Sequence, residues 1–237
     1  MKTWQEDEIQ ALLTLNDEQA LFSGLAGLAR DLGFDFCAYG MRLPIPVSNP
    51  KIVMFNNYPG EWQSRYERNN YLAVDPTVQH GMRSLLPILW SDEVFASSRE
   101  LWEEAQSFGL RIGWAQATWD ANGVGGLLTL ARPAEALSSA ELQTNSMKLA
   151  WLAQVAHIGM SQCLRAKMMP QVNVKLSNRE VEVLRWTADG KTSSEISDIL
   201  RIAERTVNFH INNAISKLNA SNKTAAVVRA AMLGMLY

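Results

Sequence analysis

Two capping boxes close together in the last quarter of the chain constrain its fold more than any other feature. Ser177-x-x-Glu180 and Thr192-x-x-Glu195 each place a hydroxyl to accept from a backbone N–H three residues on, and a carboxylate to reach back. Each marks a helix start, and Gly190 between them marks a helix stop. Val181, Leu184 and Ala188 give the first helix an apolar stripe, and Ile196, Ile199 and Leu200 give one to the second. A third helix is predicted from about Glu204, after a short turn. Short helices joined by tight turns must pack against one another, because none is long enough to stand alone in water.

The third helix has two unlike faces. Val207, Ile211, Ala214, Ile215 and Leu218 fall within one arc at about 100° per residue. Arg205, Asn208, Phe209, Asn212 and Ser216 fall on the other. A solvated amphipathic helix explains polar residues there, but not a Phe in the middle of them. Arg and Asn make paired hydrogen bonds to guanine and adenine edges, and Phe can lie on a thymine methyl. Lys191, Thr206, His210 and Lys217 stand where phosphates could pass. The segment therefore reads as a helix-turn-helix, with Arg205, Asn208, Phe209 and Asn212 as base readers. His210 by itself is a structural residue or a phosphate contact, neither catalyst nor metal ligand.

The charge is divided along the chain. From Gln171 onward there are nine Lys/Arg against six Asp/Glu, a balance of +3, and the remainder has 13 against 18, a balance of −5. A mildly basic tail behind an acidic body suits a small DNA-binding module on a sensor. The 237 residues, 47% hydrophobic and 19% charged, suit two soluble domains. The opening MKTWQEDEIQ is charged and acidic, unlike a signal peptide, and no apolar run approaches membrane-spanning length. Cys37 and Cys163 have neither paired spacing nor a nearby His, which points to a reducing cytoplasm and away from disulfides or structural zinc.

Ahead of the tail, Asp17 to Leu32 carries Leu21, Phe22, Leu25, Leu28, Ala29 and Leu32 on one helical face. Phe34–Met41 and Lys51–Asn56 read as strands. Helices are predicted over Pro59–Arg68, from Asp75-Pro76, and over Ser98–Phe108. A short extended piece covers Ile88–Trp90. Arg111–Trp119 and Gly126–Ala131 flank Asp120-Ala121-Asn122-Gly123 as a hairpin, and Ser139 to about Lys167 reads as one long helix. The sum is an α+β chain: an N-terminal α/β/α sandwich on an antiparallel sheet, residues 1–167, and a C-terminal all-α domain, residues 175–237. Residues 168–174, with Pro170, read as the linker.

Inside the sandwich segment, aromatic residues gather around one acid: Tyr58, Trp62, Tyr66, Asp75, Trp90, Trp102 and Trp114. Core packing explains a lone aromatic stripe, and an N-cap before Pro76 explains Asp75. From the residues alone both explanations stand beside a ligand site.

The tail, with its REVEVLRWTADGKTSSEI and ERTVNFH stretches, resembles the C-terminal domain of LuxR-type transcription regulators. In that family Glu180, Leu184 and Gly190 are signature positions, and the helix-turn-helix would span about Thr192 to Asn212. Many members carry Ser where this chain has Ala203. The sandwich segment, in the order NNYPGEW, RY, VDP, LW, LWEEA and FGLRIG, resembles the autoinducer-binding domain of quorum-sensing members. The resemblance implies an N-acyl-homoserine lactone as ligand and no other cofactor. By that likeness Trp62 would donate to the lactone carbonyl and Asp75 would accept the ligand amide N–H. Tyr58 and Thr129 would reach the amide carbonyl, and Tyr66, Trp90 and Trp114 would form walls. Ala38, Gly40, Val78 and Leu127 would lie near the acyl chain. It also implies a cytoplasmic homodimer on an inverted repeat of double-stranded DNA, acting as an activator with RNA polymerase. A different small amphiphile, or ligand-independent action, is the alternative. A lactone or acyl hydrolase using Asp75, His80 or Cys37 lacks a nucleophile elbow and metal-ligand spacing, so the chain is not expected to be an enzyme.

Overall fold

The structure, a computed structural model, describes residues 6–168 and 174–236. These form two compact units, one of residues 6–42, 52–119 and 124–166, the other of residues 43–51, 120–123, 167–168 and 174–236.

The first unit is built on a five-stranded sheet. Its strands are β1 (Phe36–Arg42), β2 (Ile52–Asn56), β3 (Ile88–Leu89), β4 (Ile112–Trp119) and β5 (Gly125–Arg132). Their order is β2-β1-β5-β4-β3, and every neighbouring pair is antiparallel. Helices α1 (Glu6–Leu13), α2 (Glu18–Asp31) and α6 (Ser139–Met168) serve one face, called here the back. Helices α3 (Gly60–Arg68), α4 (Pro76–Gly81) and α5 (Arg99–Ser107) serve the front. The predicted α/β/α sandwich is the fold observed.

Strand alternation decides which side chains go where. On the back, Cys37, Tyr39 and Met41 of β1 are buried. Phe22 of α2 meets Phe55 of β2 with ring centroids 6.1 Å apart, and Tyr39 Oη lies 2.8 Å from His157 Nδ1 of α6. Helix α2 starts as expected, with the Asp17 carboxylate accepting from the Ala20 N–H at 2.7 Å. Buried Arg132 ends β5 by donating to both carboxylate oxygens of Glu141 at 2.9 Å, which joins the sheet to the first turn of α6. Helix α1 was not foreseen. Its eight residues are barely two turns, too short to stand out in the sequence, and it packs closely on α2: a Cβ at Gly24 of α2 would collide with Leu12.

The second unit holds α7 (Asn178–Ala188), α8 (Ser193–Leu200), α9 (Glu204–Lys217) and α10 (Lys223–Met232). Both capping boxes form. The core joins Val183, Ile196, Val207 and Ile211, flanked by Trp186, Leu200, Ile202 and Ile215. Three details differ from the expected stripes. Val183 is fully buried while Val181 is only partly so, Ala188 in the last turn of α7 is exposed, and Ile199 is exposed. In α7 and α8 the face buried is the one turned toward α9. Helix α10, also not foreseen, starts at Asn222, whose side chain accepts from the Ala225 N–H at 2.8 Å, and buries Ala226 and Ala230. Alanines give a weak periodic signal because they bury little area each. The expected linker, residues 168–174, falls mostly outside the described residues, and α6 runs through Met168.

Candidate ligand site and DNA-facing helix

The front of the sheet is a grid whose rows follow from the strand register. The first row is Phe36, Ala131 and Gly113, extended by Trp90, whose N–H donates to the Gly113 carbonyl at 2.9 Å. The second is Ala38, Thr129, Ala115 and Ile88, and the third is Gly40, Leu127 and Ala117.

An aromatic cluster covers the first row. Trp62, Tyr71, Phe95, Trp102 and Leu110 are buried there, with Phe36, Tyr58, Tyr66 and Trp90 packed around them. Trp62, 3% exposed, lies with its ring 5.8 Å from Tyr66. Phe95 stacks on Trp102 at 4.6 Å. Trp90 sits directly over Gly113, where any Cβ would run into its indole, and its buried Nε1 has no acceptor among the described residues. Helix α4 covers the third row: a Cβ on Gly81 would lie 3.1 Å from Ala117 Cβ and 3.2 Å from Leu127 Cδ1. Between the two covers lies the second row, clothed on its three central strands only by two methyls and the Thr129 side chain.

Asp75 stands at the head of α4. Its Oδ1 accepts from the Thr77 N–H at 2.8 Å and the Thr77 hydroxyl at 2.6 Å, and its Oδ2 accepts from Tyr66 Oη at 2.9 Å. The N-cap reading of Asp75 is therefore correct, and it leaves one acceptor position open, since a carboxylate offers about four. Burial, then the negative charge of Asp75 and the hydrogen bond to it, push the Tyr66 hydroxyl well above its ordinary value. Burial, then Cys37 and Asp75, push Tyr58 up as well. Both phenols stay protonated and remain donors. Helix α3 places Tyr66 one turn beyond Trp62, and a separate network holds that helix: Arg65 pairs with Glu104 at 3.2 Å, and Tyr71 donates to Glu104 at 3.0 Å.

Of the expected ligand residues, the fold brings together Tyr58, Trp62, Tyr66, Asp75, Trp90, Thr129, Ala38, Gly40 and Leu127, with Val78 on α4. Trp114 is the exception. It pairs with Leu130 and Leu89, so it points to the back of the sheet and is buried there. Its neighbour Ala115 takes the front position. Ala115 and Thr77 were both missed. Counting alternation along β4 from the pair Ala115–Thr129 finds the first, and Thr77 follows Asp75-Pro76 at the position whose N–H a capping carboxylate takes. The residues weighed as a hydrolase do not meet: Cys37 is on the back, its thiol pushed up to about 12 by burial, and His80 Nε2 is engaged with the Leu86 carbonyl at 2.8 Å.

In the second unit, Thr192 and Glu195 cap α8, and Arg201 in the left-handed conformation turns the chain into α9. Ala203 occupies the α9 N-cap without a side-chain bond, as its methyl dictates. Arg205, Asn208, Phe209 and Asn212 all lie on the exposed side of α9, with Phe209 60% exposed. Thr206 and His210 are half-buried beside them. Lys191 lies 3.8 Å from Glu195. Lys217 departs from expectation. Its ammonium sits 2.9 and 2.8 Å from the two carboxylate oxygens of buried Glu180, so it serves the α7 cap rather than standing free for a phosphate.

Residues 17–158 match the family model for an autoinducer binding domain, and residues 174–230 match that for bacterial regulatory proteins of the luxR family. The chain belongs to the LuxR family of quorum-sensing transcriptional regulators. Among LuxR relatives, it is 47% identical over 238 residues to the transcriptional activator protein AnoR of Acinetobacter nosocomialis, covering 100% of both chains. It is 39% identical to the HTH-type quorum-sensing regulator RhlR of Pseudomonas aeruginosa, covering 98% of this chain and 96% of that one. The solved structure of Escherichia coli SdiA in complex with octanoyl-rac-glycerol superposes with a TM-score of 0.80 at 32% identity, covering 100% and 99% of the two chains. The LuxR helix-turn-helix makes this chain a DNA-binding protein, and relatives of this kind are regulators rather than enzymes.

Proposed function

We propose that this LuxR-family chain is a receptor for an N-acyl-homoserine lactone held across the second row of the sheet. One observation carries the proposal: the Asp75 carboxylate, already fixed by three protein donors, keeps an acceptor position beside Trp62 and Tyr66. An amide N–H from the ligand fills that position, and a charge-assisted bond of this type is about twice as strong as a neutral one. The Trp62 indole donates to the lactone carbonyl, and Tyr58 and Thr129 donate to the amide carbonyl. Tyr66 and Trp90 wall the ring. The acyl chain runs past Ala38, Ala115 and Gly40 toward Leu127 and Val78, each buried methylene contributing about 0.8 kcal/mol.

Residues 1–167 act as the sensor, 168–174 as the linker and 175–237 as the reader. Ligand binding stabilises the sensor by mass action, and two copies then join through α6. Supporting this, Met147 and Trp151 stand one turn apart on α6 and are 80% and 50% exposed. The dimer places two copies of α9 on an inverted repeat and activates transcription with RNA polymerase in the cytoplasm. A reducing compartment suits the thiols of Cys37 and Cys163.

The SdiA complex favours a second reading, an acylglycerol in the same place. The two ligands differ at Asp75: an acyl-homoserine lactone offers an amide N–H, whereas an acylglycerol offers an ester oxygen there and hydroxyls elsewhere. A reporter dose-response across an acyl-homoserine lactone panel and octanoyl-rac-glycerol, with wild type and Asp75→Asn, separates them. Lactone response in wild type, shifted at least tenfold in Asp75→Asn, supports the first reading. Response to the acylglycerol alone supports the second, and response to neither overturns both.

A further inference from the structure

Within the exposed side of α9, Asn208 is held by another helix. The Ser193 hydroxyl, on the first turn of α8, donates to Asn208 Oδ1 at 2.8 Å. Ser193 is itself well anchored. It follows the Thr192 N-cap, whose hydroxyl accepts from the Glu195 N–H while Glu195 reaches back to the Thr192 N–H at 2.9 Å. Its backbone is therefore fixed before any DNA arrives. Hydrogen bonds from Thr192 hold the Glu195 carboxyl below its ordinary value, so the box stays intact at neutral pH.

An unrestrained asparagine reads adenine with both ends of its amide: the oxygen accepts from N6–H while the nitrogen donates to N7. Asn208 differs, because the Ser193 hydroxyl takes one of the two acceptor positions of its oxygen and holds that end against α8, which favours presenting Nδ2. Two N–H donors suit an edge with two adjacent acceptors, and in the major groove that edge is guanine, with N7 and O6, whereas thymine offers one acceptor beside a methyl. We propose that Ser193 is a positioning residue for base reading, which turns Asn208 into a donor-only reader of guanine. The proposal rests on α9 being the reading helix. A reversed amide, with Nδ2 bonded to Ser193 and Oδ1 presented, would instead read a base amino group.

The test uses the full-length regulator with its activating ligand and selection of binding sites from a randomised inverted-repeat library. Asn208→Ala identifies the position in each half-site that this side chain reads, by flattening its preference. At that position the wild type should favour G·C over A·T by about tenfold, the scale of one good side-chain contact. Replacing that guanine by 7-deazaguanine should weaken wild type and leave Asn208→Ala unaffected. Ser193→Ala should lose the preference and admit A·T, because the freed amide can then pair with adenine, and Ser193→Thr, which keeps the hydroxyl, should restore it. A loss of overall affinity with unchanged base preference in Ser193→Ala would show a merely structural role and overturn the proposal. So would a wild-type preference for A·T, or insensitivity to 7-deazaguanine. Failure of the wild type to select any sequence would overturn the assignment of α9 as the reading helix, and this inference with it.

Discussion

Several single residues in this chain are fixed by what lies within one atom's reach. Gly126 is the sharpest case. A Cβ there would collide with His157 Nδ1, stand 2.8 Å from Tyr39 Oη and reach Thr118 Oγ1 at 3.0 Å. Glycine is required because the Tyr39–His157 hydrogen bond crosses directly above it. Gly126→Ala is expected to cost about 1–3 kcal/mol by overpacking, measured as a lower denaturation midpoint, with the order of ligand preferences unchanged. Ala203 is the opposite case, a place where the sequence omits a useful group. Ala203→Ser should add about 1 kcal/mol to α9 by supplying the missing cap acceptor. Slower amide exchange in the first turn of that helix would register it, and unchanged exchange would contradict it.

At the scale of elements, β4 carries opposite roles on adjacent residues. Trp114→Ala removes a large buried back-face side chain, so it should destabilise by about 3–5 kcal/mol without altering which ligands are ranked best. Ala115→Trp should abolish the ligand response while the reader unit still folds. Thermal unfolding and ligand titration of the two variants check both statements, and the reverse pattern would refute the assigned faces. Helices α7 and α9 are joined by a different device, the Glu180–Lys217 pair. Burial alone would raise the Glu180 carboxyl, but the hydrogen bonds from Lys217 and Ser177 outweigh it and hold the carboxyl below its ordinary 4.5. A depressed folded value means that the pair's stabilisation is present above 4.5 and is lost as pH falls through the folded value. The protection factors of α7 and α9 amides, each taken relative to the intrinsic exchange rate at the same pH, should fall on acidification below about 4.5. Glu180→Gln should flatten that acid dependence and start from lower protection at neutral pH.

For the whole molecule, ligand and stability should be inseparable. The unfolding midpoint should rise with lactone concentration, by about 2.7 kcal/mol of stabilisation at a hundred times the dissociation constant. A midpoint indifferent to ligand would count against the receptor proposal. Much of this architecture is legible in the sequence. The capping boxes give α7 and α8, apolar periodicity gives α2, and Asp75-Pro76 gives α4, because each depends on residues a few positions apart. Helices α1 and α10 are not legible, since one is only eight residues long and the other buries small alanines. The site is half legible. Asp75 and Trp62 declare their chemistry, but the exchange of Trp114 for Ala115 depends on the register of β4 against β5, a relation between residues not adjacent in sequence. The engagement of Lys217 by Glu180 is hidden for the same reason.

That alternation on β4 also limits how such a receptor can change over generations. Side chains along the second row can be replaced one at a time, each substitution reshaping the space for a ligand tail. The length of the strand cannot. A single residue inserted just before Trp114 would turn every following side chain of the strand to the other face, bringing an indole to the second row, where the ligand is proposed to lie, and alanine methyls into the core between sheet and α6. New ligand preferences can therefore arise by point substitution within β4, while changes in chain length must fall outside its paired residues.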